Sequence, residues 1–355
     1  RFFIDNALMW LDDLHGDGLR LDAVHAIEDA SAIHLLEQIA IEVDALAERV
    51  DRPLFLIAES DRNDPRYVRN RDVGGYGLES AWADEWHHAL HAFLTGELDG
   101  YYEDFGPIEV LAKALRQAWV YDGIWSQHRQ RTHGRPPTGL EGDQFIVSVQ
   151  NHDQIGNRAA GDRIGATIGP QRAKVAAALM LTSPFTPMLF QGEEWGASTP
   201  FAYFTAHEEV ELGLAVTEGR RREFAHFGWR PEDVPDPQNP ETFQRSTLQW
   251  DEIDLPEHQE LLAWYCSLSA LRRREPDLTD THLANTTVTV DADTSVLDIR
   301  RGEIRIIVNL GAEPQRVEIG AAMRVLLASN PAIAVDRARV ALPPDSVAIV
   351  GPEAV

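Results

Sequence analysis

The segment "DGLRLDAVH" at residues 17–25 is a short apolar run that ends on charged residues. Its leucines are typical of a buried β-strand, whereas Arg20 and Asp22 lie two residues apart near its end. Side chains at positions i and i+2 of a strand point to the same face. Charged residues are rarely buried without a partner or a function. The segment therefore predicts a buried strand whose end carries a functional site.

Two further apolar runs end in the same way. "PLFLIA" at 53–58 is followed by Glu59, and "FIVSVQ" at 145–150 is followed by "NHDQ", which contains Asp153. Continuous apolar runs of this kind are typical of parallel strands that are covered on both faces. In parallel barrels and doubly wound sheets, the carboxyl ends of all strands lie on one face, which carries the site. We therefore expect Asp22, Glu59 and Asp153 to converge.

Strands and helices alternate along the first 276 residues. The predicted strands are 18–24, 53–58, 78–82, 145–150 and 187–191, and the predicted helices are 1–15, 27–50, 83–94, 106–119, 170–182 and 256–274. After Pro276 the pattern changes to short strands separated by turn residues, which is typical of an antiparallel β-sandwich. The predicted fold class is α/β, with about five strand–helix units of a (β/α)8 TIM barrel in residues 1–276 and a β-sandwich domain in residues 283–355.

The composition restricts the partners and the compartment. The 355 residues include 32 basic and 57 acidic ones, for a net charge of −25. This balance argues against nucleic acid and against an anionic membrane surface, while a neutral sugar would not be repelled. No apolar run approaches the length of a membrane span. A single cysteine, Cys266, excludes an intrachain disulfide and favours a reducing, cytoplasmic location.

Three carboxylates and an arginine suit the hydrolysis of a glycosidic bond. A retaining glycosidase needs an ionised carboxylate as nucleophile and a protonated carboxyl as general acid. Arg20 favours the ionised form of Asp22. Glu59 follows apolar residues, and apolar surroundings raise a carboxyl pKa, which suits a general acid. Each charged residue alone could be a helix cap or a solvated loop residue, but three such strand ends are hard to explain in that way.

These segments resemble a known superfamily. "GLRLDAVH", "LIAES" and "VQNHDQ" are similar, in order and strand context, to the second, third and fourth signature regions of the α-amylase superfamily. The resemblance implies Asp22 as nucleophile, Glu59 as acid/base and Asp153 as transition-state stabiliser. It also implies sugar-binding roles for neighbouring side chains, namely Arg20, His152 and Gln154. The mechanism of the superfamily needs no cofactor, so none is expected.

Longer segments resemble one family within that superfamily. "RFFIDNALMWLDDLHGDGLRLDAVHAI", "GEEWGASTPFAYFTAH" and "VPDPQNPETFQRSTLQW" are similar to the maltooligosyltrehalose trehalohydrolases. Enzymes of that family cut the α-1,4 bond next to a terminal trehalose unit and release trehalose. The resemblance also implies that this chain holds barrel strands 4 to 8. Strands 1 to 3 and the first signature region would then precede Arg1, and the chain would need that missing N-terminal part for activity.

Two further residues are candidate sugar contacts. Many α-amylases carry a Lys-His pair three and four residues after the nucleophile, where this chain has His25 and Ala26. We hypothesise that His25 faces a different leaving group, trehalose; the alternative is that it only packs at the strand end. Trp195, in the loop after the last strand, is a candidate sugar platform, the alternative being core packing.

A metal site is not expected, and two other functions stay open. His87 and His91 have a spacing that can hold zinc, but no third ligand lies at a suitable offset. A branching or debranching enzyme acting on α-glucans would use the same three carboxylates, and its products would differ. A non-catalytic glucan-binding relative would be expected to lack at least one of the carboxylates, whereas this chain has all three.

Overall fold

A computed structural model describes residues 1–225, 230, 233–320, 323–336 and 338–353 of the chain. The helices, in chain order, are α1 Phe2–Asp12, α2 Leu35–Val50, α3 Asp84–Thr95, α4 Ile108–Gln117, α5 His152–Gly156, α6 Ile164–Leu181, α7 Val210–Ala225, α8 Pro240–Arg245, α9 Pro256–Arg274 and α10 Pro276–Thr279. The strands are β1 Gly18–Leu21, β2 Phe55–Ala58, β3 Ser80–Trp82, β4 Asp122–Ser126, β5 Arg131–Gly134, β6 Phe145–Val147, β7 Thr186–Pro187, β8 Thr286–Asp291, β9 Val296–Arg301, β10 Ile304–Asn309, β11 Gln315–Glu318, β12 Met323–Ala328, β13 Ala334–Asp336, β14 Arg339–Leu342 and β15 Ser346–Pro352.

A parallel sheet organises the first part of the chain. Its strands lie side by side in chain order, β1-β2-β3-β6-β7, and every neighbouring pair is parallel. Arg20 pairs with Ile57, and Ala58 pairs with Ala81, so that the strands end at similar heights. The carboxyl ends of the strands therefore meet at one edge of the sheet, as predicted. Within the described residues, β1 and β7 each pair with one neighbour only.

Several elements differ from the predictions in their bounds. The strands predicted at 145–150 and 187–191 are shorter in the structure, at Phe145–Val147 and Thr186–Pro187. A continuous apolar run indicates that residues are buried, but it does not indicate which of them pair with a neighbouring strand. The helix predicted from residue 27 begins at Leu35 instead. Before it, the Asp29 carboxylate accepts the backbone N–H groups of Ser31 and Leu35, which holds a loop in place of a helical turn.

Helix α2 shows how the sheet is covered. Its buried side chains are three to four residues apart, so they form one face: Leu36, Ile39, Ala40, Val43 and Leu46. They join the strand residue Leu56 and the residues of α1 in one hydrophobic core. Each fully buried leucine contributes about 1.5–3 kcal/mol to that core. The antiparallel pair β4–β5 was not predicted from the sequence, because its residues show no apolar alternation.

The described residues of the C-terminal part form two antiparallel sheets, ordered β12-β15-β10-β9-β8 and β11-β14-β13. Successive residues of the larger sheet point to opposite faces. Ile307 and Ala348 pack against the smaller sheet in one core, whereas Ile306 and Ile349 join the core of the α/β part. The larger sheet therefore has hydrophobic partners on both sides.

Candidate active site

The turn after β1 places the predicted nucleophile. The strand ends at Leu21, and Ala23 then adopts a left-handed backbone with φ 45°, which starts a short 3-10 turn. Such a conformation costs a non-glycine residue about 1–2 kcal/mol. Two hydrogen bonds oppose that strain: Ala23 N–H donates to Glu59 Oε2 at 2.6 Å, and Val24 N–H donates to the Glu59 carbonyl at 3.0 Å. The turn leaves the Asp22 side chain 77% exposed.

Arg20 brings the three predicted carboxylates together. Its Nη1 donates a hydrogen bond to Asp22 Oδ1. Its Nη2 lies 3.8 Å from Glu59 Oε2 and 3.6 Å from Asp153 Oδ2. The guanidinium carbon sits 4.3 Å from the ring centre of Trp82, a cation–π contact that holds the arginine in place. Residues that follow β1 and β2 thus meet a residue of α5 around one cation.

The surroundings of Glu59 differ from those predicted. Two leucines and the alanine of the apolar run before it belong to the core, but its carboxylate accepts the Ala23 N–H and faces Arg20. The side chain is 15% exposed, so it is shielded from solvent although its neighbours are polar. The expectation of an apolar environment was wrong, because the carboxyl group reaches beyond the strand into the turn that follows β1.

Asp153 and His152 lie on a short capped helix. The Asn151 side chain accepts the N–H groups of Asp153 and Gln154, at 2.9 and 3.3 Å, and so starts α5. His152 Nε2 lies 3.5 Å from Asp153 Oδ1. Both side chains are about half exposed, so both are accessible to a ligand.

Gln154 does not fit its predicted role as a sugar contact. It is 7% exposed, and both ends of its amide are already bonded. Its Oε1 accepts the Asn151 N–H at 2.8 Å, and its Nε2 donates to Asp84 Oδ1 at 3.2 Å. Gln154 therefore completes the helix cap and links α5 to α3.

Asp84 is a fourth carboxylate at this site, which the sequence reasoning missed. It begins α3, two residues after the end of β3. Burial raises its pKa to about 6; the negative charges of Glu59 and Asp153 act in the same direction, while Gln154 and Arg20 oppose them. The rule that identified the other three residues, a charge after a buried strand, also applies to "SAWAD" and could have identified Asp84.

His25 follows Asp22 by three residues and lines a polar cavity. Its Nδ1 is 3.7 Å from Asp61 Oδ1, and Arg129 Nη1 donates to the same carboxylate at 2.8 Å. Burial would raise the pKa of Asp61, but Arg129 and His25 hold it below its ordinary value. The cavity has a volume of about 540 Å³, and its polar lining side chains are His25, Glu28, Asp29, His34, Arg62, Arg66, Tyr67 and Tyr76.

Trp195 is not available as a sugar platform. The residue is 3% exposed, and its ring packs against Trp250 with ring centres 5.2 Å apart. A platform needs an open ring face, so the structure contradicts this prediction. This ring contact comes from residue 250, far away in sequence, so local motifs did not reveal it.

The two histidines of α3 with the zinc-type spacing, His87 and His91, are bonded within the protein. His87 bonds to the Val149 carbonyl at 2.6 Å and to the Tyr102 hydroxyl at 3.0 Å, and His91 Nε2 lies 2.8 Å from Glu97. In the part of the chain that the structure describes, no group of three or more His, Cys, Asp or Glu side chains could hold a metal ion. None of the described helices is both long and apolar enough to cross a membrane.

Comparison with known proteins supports the resemblance that the motifs indicate. The chain is 52% identical over 320 residues to a malto-oligosyltrehalose trehalohydrolase of Arthrobacter ramosus. This alignment covers 88% of the chain and 54% of that protein. The chain is 48% identical over 353 residues to the enzyme of the same name from Rhizobium sp. strain M-11, covering 99% of this chain and 59% of the relative. The chain thus spans somewhat more than half the length of these curated relatives.

Two further matches concern the fold. A crystal structure of a Salmonella typhimurium protein, provisionally described as an alpha amylase, superposes with a TM-score of 0.86 at 36% identity, covering 99% of this chain and 60% of that one. Residues 279–349 match DUF3459, a domain of unknown function. The similarity therefore includes both the parallel sheet and the antiparallel sheets.

Proposed function

Because the chain is similar to malto-oligosyltrehalose trehalohydrolases along most of its length and gathers three carboxylates around Arg20, we propose that it carries the catalytic centre of a retaining α-glycosidase. The substrate is maltooligosyltrehalose, and the bond cleaved is the α-1,4 bond next to the terminal trehalose, which is released. The convergence of Asp22, Glu59 and Asp153 on one arginine is the observation that carries this proposal.

The chemistry follows a double displacement. Glu59 protonates the glycosidic oxygen while Asp22 attacks the anomeric carbon, and a glycosyl ester of Asp22 forms. Glu59 then takes a proton from water, which hydrolyses the ester and restores both groups. The exposure of Asp22 and its bond to Arg20 suit a nucleophile that must be ionised and accessible. Asp153 and His152 bind the sugar hydroxyls. No cofactor takes part.

We place the trehalose leaving group on the side of His25. The polar cavity beside this residue offers histidine, arginine and carboxylate side chains to sugar hydroxyls. His25 is 30% exposed, so its ring can reach a ligand. Replacing His25 and Ala26 by the Lys-His pair of many amylases should weaken the preference for trehalose-ended chains; an unchanged preference would contradict this placement.

The proposed architecture is strands 4 to 8 of a (β/α)8 barrel, in residues 1–276, followed by a β-sandwich in residues 283–355. The chain order of the parallel strands supports the barrel, and the two sheets that share a core support the sandwich. Strands from an N-terminal region would pair with the free sides of β1 and β7. We place the protein in the cytoplasm, since its single cysteine is free and exposed.

Product analysis tests the activity. The test uses an extended polypeptide, defined as this chain preceded by an N-terminal region that brings it to the length of its relatives. Incubation with maltotriosyltrehalose should release trehalose, with little cleavage of maltopentaose, and the Asp22→Asn variant should release none. Equal cleavage of both substrates would indicate a general α-1,4-glucanase, and altered branching would indicate a branching or debranching enzyme. A folded protein that cleaves nothing would favour glucan binding without catalysis.

A further inference from the structure

Resting on the proposed function, we propose that a row of phenylalanine rings at the carboxyl edge of the parallel sheet binds the glucan chain that is left when trehalose departs. This aromatic row consists of Phe190, Phe201, Phe204 and Phe243. Phe201 and Phe204 belong to the segment "GEEWGASTPFAYFTAH", and Phe243 belongs to "VPDPQNPETFQRSTLQW". Both segments resemble the trehalohydrolases in particular. Neither contains a catalytic carboxylate, so the bond-breaking chemistry gives them no role.

The aromatic row runs from the edge of the sheet to the surface. Phe190 follows the end of β7 by three residues. The ring centres of Phe190 and Phe201 lie 5.1 Å apart, those of Phe201 and Phe204 lie 5.9 Å apart, and those of Phe204 and Phe243 lie 5.2 Å apart. Phe204 is 36% exposed and Phe243 is 55% exposed. The outer end of the row therefore offers to a ligand the aromatic surface that the buried Trp195 does not.

The backbone that carries the aromatic row is fixed by hydrogen bonds. The Phe201 N–H donates to the Gly161 carbonyl at 2.8 Å, and the Thr205 N–H donates to the Pro237 carbonyl at 2.9 Å. The Thr205 hydroxyl also donates to Gln238 Oε1 at 2.6 Å. Large apolar side chains that are contiguous and exposed mark interaction sites. A fixed backbone lowers the entropic cost of binding there.

The aromatic row lies close to the helix that carries Asp153. Arg220 makes the connection, because its Nη2 donates to the Gly156 carbonyl at 2.6 Å and its guanidinium carbon lies 4.5 Å from the ring centre of Tyr203. Gly156 is the last residue of α5, and Tyr203 directly precedes Phe204. From Asp153 to Gly156 the helix axis rises by only about 4.5 Å. The aromatic row is therefore one short helix away from the proposed catalytic centre.

The order of the strands separates the aromatic row from the proposed trehalose site. His25 follows β1 and Phe190 follows β7, and these are the two outer strands of the described sheet. With trehalose on the side of His25, the rest of the substrate leaves the cleaved bond in the other direction. Sugar rings have apolar C–H faces, which suit exposed aromatic rings. A net charge of −25 does not repel a neutral glucan chain.

The dependence of KM on chain length tests the proposal in the extended polypeptide. The substrates are glucosyltrehalose, whose single glucose is too short to reach Phe243, and maltopentaosyltrehalose. Phe243→Ala should raise KM for the longer substrate by about tenfold, as expected for the loss of one aromatic contact. Its KM for the shorter substrate and both kcat values should stay unchanged, because uniform binding alone is lost.

Two further substitutions at the same position separate ring stacking from general apolar contact. Phe243→Tyr keeps the ring and should keep the KM values of the parent. Phe243→Leu keeps an apolar side chain without a ring and should behave like Phe243→Ala. Thermal melting checks that each variant is folded. Parent-like KM values in Phe243→Leu would contradict stacking on a sugar.

Phe55→Ala is the matched control, since Phe55 is 48% exposed and begins β2, at the opposite end of the sheet. It should change neither KM value. Equal changes for both substrate lengths in Phe243→Ala, or none, would overturn the proposal. A lower melting temperature with unchanged KM would also overturn it, because another part of the extended polypeptide would then cover the aromatic row.

A binding measurement separates this proposal from the proposed function. If the parent releases no trehalose, the proposed function fails, and calorimetric titration of maltoheptaose into the Asp22→Asn protein still tests the aromatic row. Adding Phe243→Ala to that protein should weaken maltoheptaose binding by about tenfold, whereas adding Phe55→Ala should not. Equal affinity with and without the Phe243 ring would refute glucan binding by the row.

Discussion

At the scale of single residues, Arg20 is the side chain that connects the parts of the site. Its guanidinium touches or approaches Asp22, Glu59 and Asp153 and stacks on Trp82. Without this cation, three carboxylates would share one space with no counter-charge. The mutual repulsion of the carboxylates would then oppose their close approach. The arginine therefore organises the charges that the proposed mechanism uses.

Replacing Arg20 by leucine should lower kcat by about 10²- to 10³-fold, as is typical for the loss of one charged contact at a reacting centre. Lysine should restore only part of the activity, because a point charge cannot contact several carboxylates as the planar guanidinium does. Steady-state kinetics on the extended polypeptide measure both variants, and thermal melting checks that each is folded. A rise in KM with unchanged kcat would contradict the argument.

Ala23 gives a prediction about the backbone. The residue has a strained backbone with φ 45°, and in this conformation its N–H donates to Glu59. Glycine tolerates this conformation but gives the unfolded chain more freedom, so Ala23→Gly should change stability by less than about 1 kcal/mol. Valine, which is β-branched, should destabilise the fold by about 1–2 kcal/mol and lower kcat as the N–H moves away from Glu59. Equal effects of the two substitutions on denaturant unfolding and on kcat would show that the turn is not constrained.

At the scale of secondary-structure elements, the parts of the site that follow from chain order could be predicted. Parallel strands share one carboxyl edge, so a charge after each apolar run was enough to bring Asp22, Glu59 and Asp153 together. Trp195 packs against Trp250, and the Gln154 amide donates to Asp84. Such contacts join segments that are distant in sequence, and no local pattern encodes them. The start of α2 was mispredicted because Asp29 caps backbone groups that apolar periodicity does not report.

The free energy of unfolding should depend on pH because of His88 in helix α3. Burial lowers the pKa of His88 to about 3, and the nearby His91, Arg129 and His128 act in the same direction. Its ring packs among Tyr101, Tyr102 and Phe105. In the unfolded chain the pKa is about 6.5, so below that pH the unfolded state binds a proton that the folded state refuses. The stability is therefore present above pH 6.5 and is lost as the pH falls towards 3, by up to about 1.4 kcal/mol per unit.

The His88→Phe variant should remove the pH-dependent contribution of His88 to stability. It keeps an aromatic ring among the aromatic side chains that surround this position. Urea unfolding of the extended polypeptide at pH 7, 6 and 5 should show a shallower loss of stability in the variant than in the parent. Some dependence should remain, because burial also lowers the pKa of His87 well below its ordinary value. Parallel pH dependences for variant and parent would contradict a His88 that stays neutral in the folded protein.

At the scale of the whole molecule, the predicted domain boundary runs through a continuous core. The larger antiparallel sheet presents Ile306 and Ile349 to the core that also contains Trp264 and Leu268 of α9. Arg301 crosses the same boundary: it is 1% exposed, and it donates to the Thr182 carbonyl at 2.7 Å and to the Asp280 carbonyl. Burial lowers its pKa to about 10. The two parts should therefore unfold together, since separating them would expose apolar surface and break the hydrogen bonds of Arg301.

Replacing Arg301 by methionine should destabilise the extended polypeptide by about 2–4 kcal/mol, because two carbonyls across the boundary lose their donor. The matched control is Arg300→Met on the same strand, whose side chain is 58% exposed and lies 3.8 Å from Asp298; it should change stability by less than about 0.5 kcal/mol. Calorimetry should show one transition for residues of both parts, shifted to lower temperature in Arg301→Met alone. Two separate transitions, of which only that of the C-terminal sheets is shifted, would mean that these sheets form an independent domain. The shared core would then not couple the two parts of the chain.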